Sequence, residues 1–295
     1  MWLAMPPSAI PLRFVAGLLA ACALTASAAA AEKGDDAAPP VKAELVAEYT
    51  ALVAGQPQSL GLLLHHRPHW HTYWINPGDS GLPTTLAWTL PAGYQAEAIG
   101  WPVPQRFDVG GLYNFGYEGD LLLPVVVNVP DGAAAGSTAH IAVVAKWLAC
   151  REACIAGSAS LSIDLPVVRE TATADARWTA AFSAARLAQP QVTAWKGDIA
   201  AQGDRFVVRL SGPGLPSDAT ELDAFAVQRK LFDNAPPKIR RDGDALLVET
   251  GKSDYFTAPP SELELVLSQP GAAGVHGWRV RIPFAAAAAN AMPSR

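Results

Sequence analysis

Cysteine is scarce in this chain, with three among 295 residues. No two of them stand as Cys-x-x-Cys, which excludes the compact redox motif and the common two-pair zinc ribbon. Charge is thin, at 17% of residues with a net of −5, and lysine and arginine form no block. That balance argues against a nucleic-acid partner. Long apolar runs are missing too. The run Phe14 to Ala26 falls short of the ~20 residues that a membrane-spanning helix needs, so no transmembrane span is expected.

The N-terminus does have a pattern. Arg13 is followed by that apolar run, then by small residues from Ser27 to Ala31, with polar sequence starting at Glu32. This is the order of a secretory signal, so residues 1–31 are expected to direct export. Leu19-Ala20-Ala21-Cys22 also has the form of a bacterial lipobox, in which Cys22 would take a lipid anchor. Cleavage near Ala31 and lipidation at Cys22 stand as alternatives. Outside the cytoplasm, the two remaining cysteines can form a lasting disulfide.

About 260 residues follow, a length suited to two domains. Residues 32–43 read as a leader. From Val41 apolar residues alternate with polar ones, the period of a half-buried strand. Further strands are expected at 59–65, 70–75, 84–90, 94–99, 121–129, 139–150 and 154–165. Turn signals such as Asn76-Pro77-Gly78-Asp79 and Pro130-Asp131-Gly132 separate them. Short, punctuated strands predict an all-β, immunoglobulin-like sandwich over 44–170. Residues 171–192 read as a helical connector, because Trp178, Ala181, Phe182 and Ala185 recur at helical spacing before Pro190. A second, smaller sandwich is expected over 193–285, and the Ala-rich residues 286–295 as a flexible tail.

Cys150 and Cys154 concentrate the chemistry, and three readings compete. A structural staple is the common use of such a pair outside the cell, but a loop of about five residues restricts the unfolded chain by only roughly 2 kcal/mol. A redox switch fits a hairpin in which Arg151-Glu152-Ala153 is the loop and the cysteines face each other. A metal site would draw on His65, His66, His69 and His71, four of the six histidines. On a strand His69 and His71 would share a face and could ligate copper or zinc with the thiols. Asp79 reads as a turn cap and Glu118 as solvated.

Several separated strings resemble a known family. They are Trp70-His71-Thr72-Tyr73-Trp74-Ile75-Asn76-Pro77-Gly78-Asp79-Ser80-Gly81-Leu82-Pro83, then Trp101-Pro102-Val103-Pro104, Tyr113-Asn114-Phe115-Gly116-Tyr117-Glu118-Gly119, Leu122-Leu123-Pro124-Val125, and Trp147-Leu148-Ala149-Cys150 with Cys154-Ile155. Together they resemble the periplasmic N-terminal region of the DsbD thiol:disulfide interchange proteins, especially the ScsB-type relatives. The resemblance implies an immunoglobulin-like domain in the periplasm with a reversible cysteine pair, Cys150 and Cys154, acting as a carrier or a protein-disulfide reductase without a cofactor. It implies a membrane-embedded or thioredoxin-like electron donor and periplasmic disulfide-containing substrates. It also implies an aromatic cap, for which Tyr113 and Phe115 are candidates, with Tyr73, Trp74 and Trp147 as candidates to line the site. The multi-helix membrane domain and the thioredoxin-like domain of the family's long members have no counterpart in these 295 residues, so the donor is expected to be a separate protein.

Overall fold

The computed structural model describes residues 38–271 and 274–284, together with Trp2. The signal segment, the lipobox with Cys22, most of the leader and the tail lie outside the described residues. The first strands are β1 (Val41–Ala47), β2 (Leu52–Val53), β3 (Pro57–His66), β4 (Thr72–Gly78), β5 (Thr85–Thr89), β6 (Gln95–Ala96), β7 (Gln105–Val109), β8 (Leu112–Tyr117), β9 (Asp120–Asn128), β10 (Thr138–Cys150) and β11 (Cys154–Val168). After helix α1 (Thr179–Leu187) come β12 (Gln191–Val192), β13 (Lys196–Gln202), β14 (Arg205–Ser211), β15 (Asp223–Ala226), β16 (Lys238–Asp242), β17 (Ala245–Gly251), β18 (Glu262–Gly271) and β19 (Gly274–Pro283).

Two four-stranded sheets, ordered β1-β3-β9-β6 and β2-β11-β10-β5, face each other. Strands β10 and β11 alternate because one face of their sheet is buried, whereas β3 and β9 are buried at successive positions. Leu60, Leu62 and Leu64 of β3 lie opposite Val125, Leu123 and Leu121 of β9, and Ile141, Val143 and Ala145 of β10 are buried from the other sheet. A third sheet, β4-β8-β7, extends one end. There Trp70, Trp74, Trp147 and Ala149 form a single apolar cluster with Leu62 and Leu64. Helix α1 lays Phe182 and Ala185 on Val46, Leu63 and Leu122, closing the outer face of the first sheet.

The later strands form sheets β12-β19-β18-β15 and β13-β14-β17-β16 around Phe206, Val208, Leu246, Val248, Leu265, Leu267 and Ile282. The run Leu265-Val266-Leu267 is apolar at every position because its strand is covered on both sides. Leu265 and Leu267 enter this later core, while Val266 and Phe225 join the tryptophan cluster of the earlier strands. The fold is all-β and immunoglobulin-like, with one short helix among the described residues.

Three elements differ from expectation. The cap candidates Tyr113 and Phe115 lie on β8 of the β7–β8 hairpin, in which Val109 pairs with Leu112 across Gly110-Gly111. Both glycines have positive φ, 65° and 87°, as a tight two-residue hairpin turn requires. The strand containing Trp74 also runs through Pro77 to Gly78 rather than ending in a turn, with an irregularity between Tyr73 and Gly78. The helix begins only at Thr179, because Ala174 is held in a bridge with Tyr49.

Candidate active site

The β10–β11 hairpin ends in the pair Cys150↔Cys154. Its loop is Arg151-Glu152-Ala153, closed by Arg151 N–H donating to the Ala153 carbonyl at 3.3 Å. Cys150 spends its own amide and carbonyl on His71, with both hydrogen bonds at 3.0 Å. It therefore meets Cys154 as a non-hydrogen-bonded pair, the closer kind in an antiparallel ladder. The Cα atoms are 4.1 Å apart and the sulfurs form a disulfide.

Strand alternation assigns the faces. Ala145, Trp147 and Ala149 of β10 point into the core, so Cys150 points out of the other side. Trp70 and Trp74 also face the core, which turns His71 and Tyr73 to the side of the cysteines. His71, Cys150 and Cys154 thus form one row across three strand segments. Cys150 is nevertheless only 3% exposed, whereas Cys154 and the three loop residues are exposed.

Three rings cover the row. The Tyr73 hydroxyl lies 3.8 Å from Cys154 Sγ. The His71 ring meets Tyr73 edge-on at 5.2 Å and stacks on Phe107 at 4.9 Å, with 14° between the planes. Residues 79–83 close over Tyr73, and Gly81 passes so near that a Cβ would lie 2.2 Å from the ring. Burial lowers the His71 pKa to about 4, with His66 adding to the effect, so the imidazole is neutral near pH 7. Burial raises the Tyr73 phenol, partly offset by a hydrogen bond with Ser80, so it stays protonated. Arg151 turns its guanidinium over Trp70, 5.4 Å from the ring centre.

A row of two cysteines beneath a histidine and a tyrosine, with one sulfur open to a partner, is suited to disulfide exchange. Comparison with known proteins agrees. Residues 37–166 match the family described as thiol:disulfide interchange protein DsbD, N-terminal. That stretch is thus similar to the N-terminal domain of the DsbD family. The N-terminal periplasmic domain of ScsB from Proteus mirabilis has a similar fold, with a TM-score of 0.62 at 19% identity, covering 85% of this chain and 96% of that one. A protein of unknown function from Porphyromonas gingivalis W83 aligns with a TM-score of 0.25 at 10% identity, over 83% of this chain and 100% of its own. The D312A form of BcpA, the major pilin subunit of Bacillus cereus, aligns at 0.26 and 8% identity, over 84% and 67%. Scores so low bear on neither fold nor function. No curated protein matches the sequence.

Of the five aromatic candidates, Tyr73 is the one whose hydroxyl lies beside Cys154 Sγ. Trp74 and Trp147 face the core, since neither shares the parity of its strand's outward residues. Phe115 is buried against Phe225, 5.0 Å between centroids, beneath the Arg106 guanidinium. Tyr113 is part-buried beside Asp79, which accepts its amide at 2.7 Å. The hairpin ring that reaches the site is Phe107, which sequence reasoning missed. Asp79 ties two segments together rather than capping its own turn, because its other oxygen accepts from Asn234 at 2.7 Å. Glu118 is exposed.

The histidines do not converge. His65 bonds to Asp120 at 2.8 Å. His66 uses both ring nitrogens, on the Gly119 carbonyl and the Thr72 hydroxyl. His69 has a φ of 67° in the bend before β4, so it does not share a strand face with His71. Among the described residues no group of three metal-ligating side chains occurs, and no helix is long and apolar enough to cross a membrane.

Proposed function

We propose that Cys150 and Cys154 form a reversible dithiol/disulfide pair that passes two electrons to disulfide-bonded periplasmic proteins, with Cys154 as the exchanging sulfur. The supporting observation is the asymmetry of exposure. Cys154 is exposed at the hairpin loop and Cys150 is 3% exposed, so a partner meets Cys154 more readily than Cys150. A thioredoxin-like dithiol supplies the electrons. Its thiolate bonds to Cys154 Sγ, the Cys150–Cys154 bond breaks, and Cys150 leaves as a thiolate and is protonated. The donor's second thiolate then releases Cys154 and leaves the donor oxidised. In the next exchange the Cys154 thiolate attacks a substrate disulfide, and Cys150 resolves the mixed disulfide. The substrate departs as a dithiol and the domain is oxidised again. The export pattern of residues 1–31 supports a periplasmic setting.

The test is thiol trapping in cells with a mass-shifting alkylating reagent. Wild-type protein is expected partly reduced. Cys150→Ser is expected to accumulate mixed disulfides through Cys154, and Cys154→Ser to accumulate few or none. A pair that stays fully oxidised, with no mixed disulfide from either variant, would mark the bond as a staple.

A further inference from the structure

We infer that His71 is the base that takes the proton from Cys150 when that buried thiol resolves a mixed disulfide on Cys154. This rests on the exchange chemistry proposed above and assigns it a residue. Reduction brings a proton to Cys150, and Cys150 can attack only after losing it. At 3% exposed, Cys150 has little direct contact with bulk water to take that proton.

His71 is its neighbour by register. The two residues exchange both backbone hydrogen bonds, so their side chains rise from the same face with Cβ atoms roughly 5 Å apart. His71 is itself 3% exposed, and its Nε2 is buried without a hydrogen-bond partner. A buried nitrogen left unpaired is unusual and costly. It is accounted for if its partner is a thiol proton that exists only in the reduced state. Phe107 and Tyr73 hold the ring from two sides, which fixes its orientation.

Electrostatics permits the transfer. In the disulfide form desolvation keeps the ring neutral with a lone pair available. As Cys150 ionises, the adjacent negative charge favours the imidazolium, and the two charges form as a pair. The surrounding charges do not preempt this. His66 repels a proton on His71 from the end of β3, and Tyr73 remains a neutral phenol. At the hairpin tip Arg151 is turned onto Trp70 and Glu152 is exposed. On β7, Arg106 and Asp108 point to the face opposite Phe107. The balanced step is: the Cys150 S–H bond breaks, the proton moves to His71, the Cys150–Cys154 bond forms, and the partner sulfur leaves as a thiolate.

The experiment uses 5,5′-dithiobis(2-nitrobenzoate) as the probe on the reduced protein in stopped flow. The first thionitrobenzoate released reports attack by Cys154, and the second reports resolution by Cys150. His71→Phe keeps the stack on Phe107 and removes the base, and His71→Gln is a second variant in case the first folds poorly. At pH 7 the second release is expected to slow about 100-fold or more, with the first release little changed. The deficit should shrink steadily as pH approaches the ordinary thiol range near 9. As an independent reading, thiolate absorbance at ~240 nm in Cys154→Ser should place the Cys150 pKa at least about one unit higher when His71→Phe is added. A wild-type rate of second release in both folded variants, or an equal slowing at every pH, overturns the assignment. The chemical probe needs no biological donor, so absence of exchange in cells would count against the proposed function without touching this result.

Discussion

His71 places a titratable group in the part of the domain least able to accept a charge. Its pKa of about 4 in the fold compares with ~6.5 in an unfolded chain. The unfolded chain therefore binds more protons between those values, and stability falls as pH falls through that window, being fully present above about 6.5. Lowering the pH from 7 to 4.5 is expected to cost the oxidised protein about 2–3 kcal/mol through this residue, measured as the difference in urea unfolding between wild type and His71→Phe at the two pH values. Equal acid sensitivity in the two proteins would mean that His71 is not held neutral by burial. The burial that depresses this pKa also leaves Nε2 unpaired, so the acid sensitivity and the proposed proton transfer have a common origin. Cys150 and Cys154 differ at the same scale. Two identical side chains four positions apart take different roles because one ends a strand bonded to His71 and the other begins a strand beside an open loop.

Among the elements, the β7–β8 hairpin is the one that shapes access. Its alternation sends Arg106 and Phe115 toward the later strands and Phe107 onto His71. Phe107→Ala removes a stack worth about 0.5–1.5 kcal/mol and uncovers the row. Reduction of the disulfide by dithiothreitol is expected to quicken several-fold, because access is one determinant of exchange rate. An unchanged rate would show that the hairpin shields nothing. Much of the fold was legible in the sequence, β10 from its alternation and β3 and β9 from short apolar runs bounded by turn signals. The hairpin carries its signal too, in Gly110-Gly111 as a two-residue turn between alternating segments. Faces were partly legible. Tyr73 and Trp74 are adjacent on one strand and could never line the same surface, and Trp147 differs in parity from Cys150. The row itself was not legible. It depends on Cys150 pairing with His71, a long-range register that no local pattern encodes.

Across the whole molecule, several polar residues outside the cysteine row hold the site's frame together rather than act in it. Arg106 is the main example. It forms a two-point ion pair with Asp223 at 2.6 and 3.0 Å, donates to the carbonyls of Ala224 and Asn234, and lies over the rings of Phe115 and Phe225. Asn76 donates to the Ala226 carbonyl at 2.8 Å, and Asn114 accepts from both the amide and the hydroxyl of Ser80. Such buried, satisfied polar contacts lock the irregular end of β4, and with it His71 and Tyr73, against the later strands. The later strands thus support the cysteine face from behind without adding a group to it. The central claim is that the supported pair exchanges electrons rather than staples a hairpin, and its reduction potential tests this most directly. Equilibration of the purified protein with glutathione redox buffers should give a value nearer −200 mV, as for exchangeable pairs, whereas a value below about −300 mV would identify an inert structural disulfide and contradict the account.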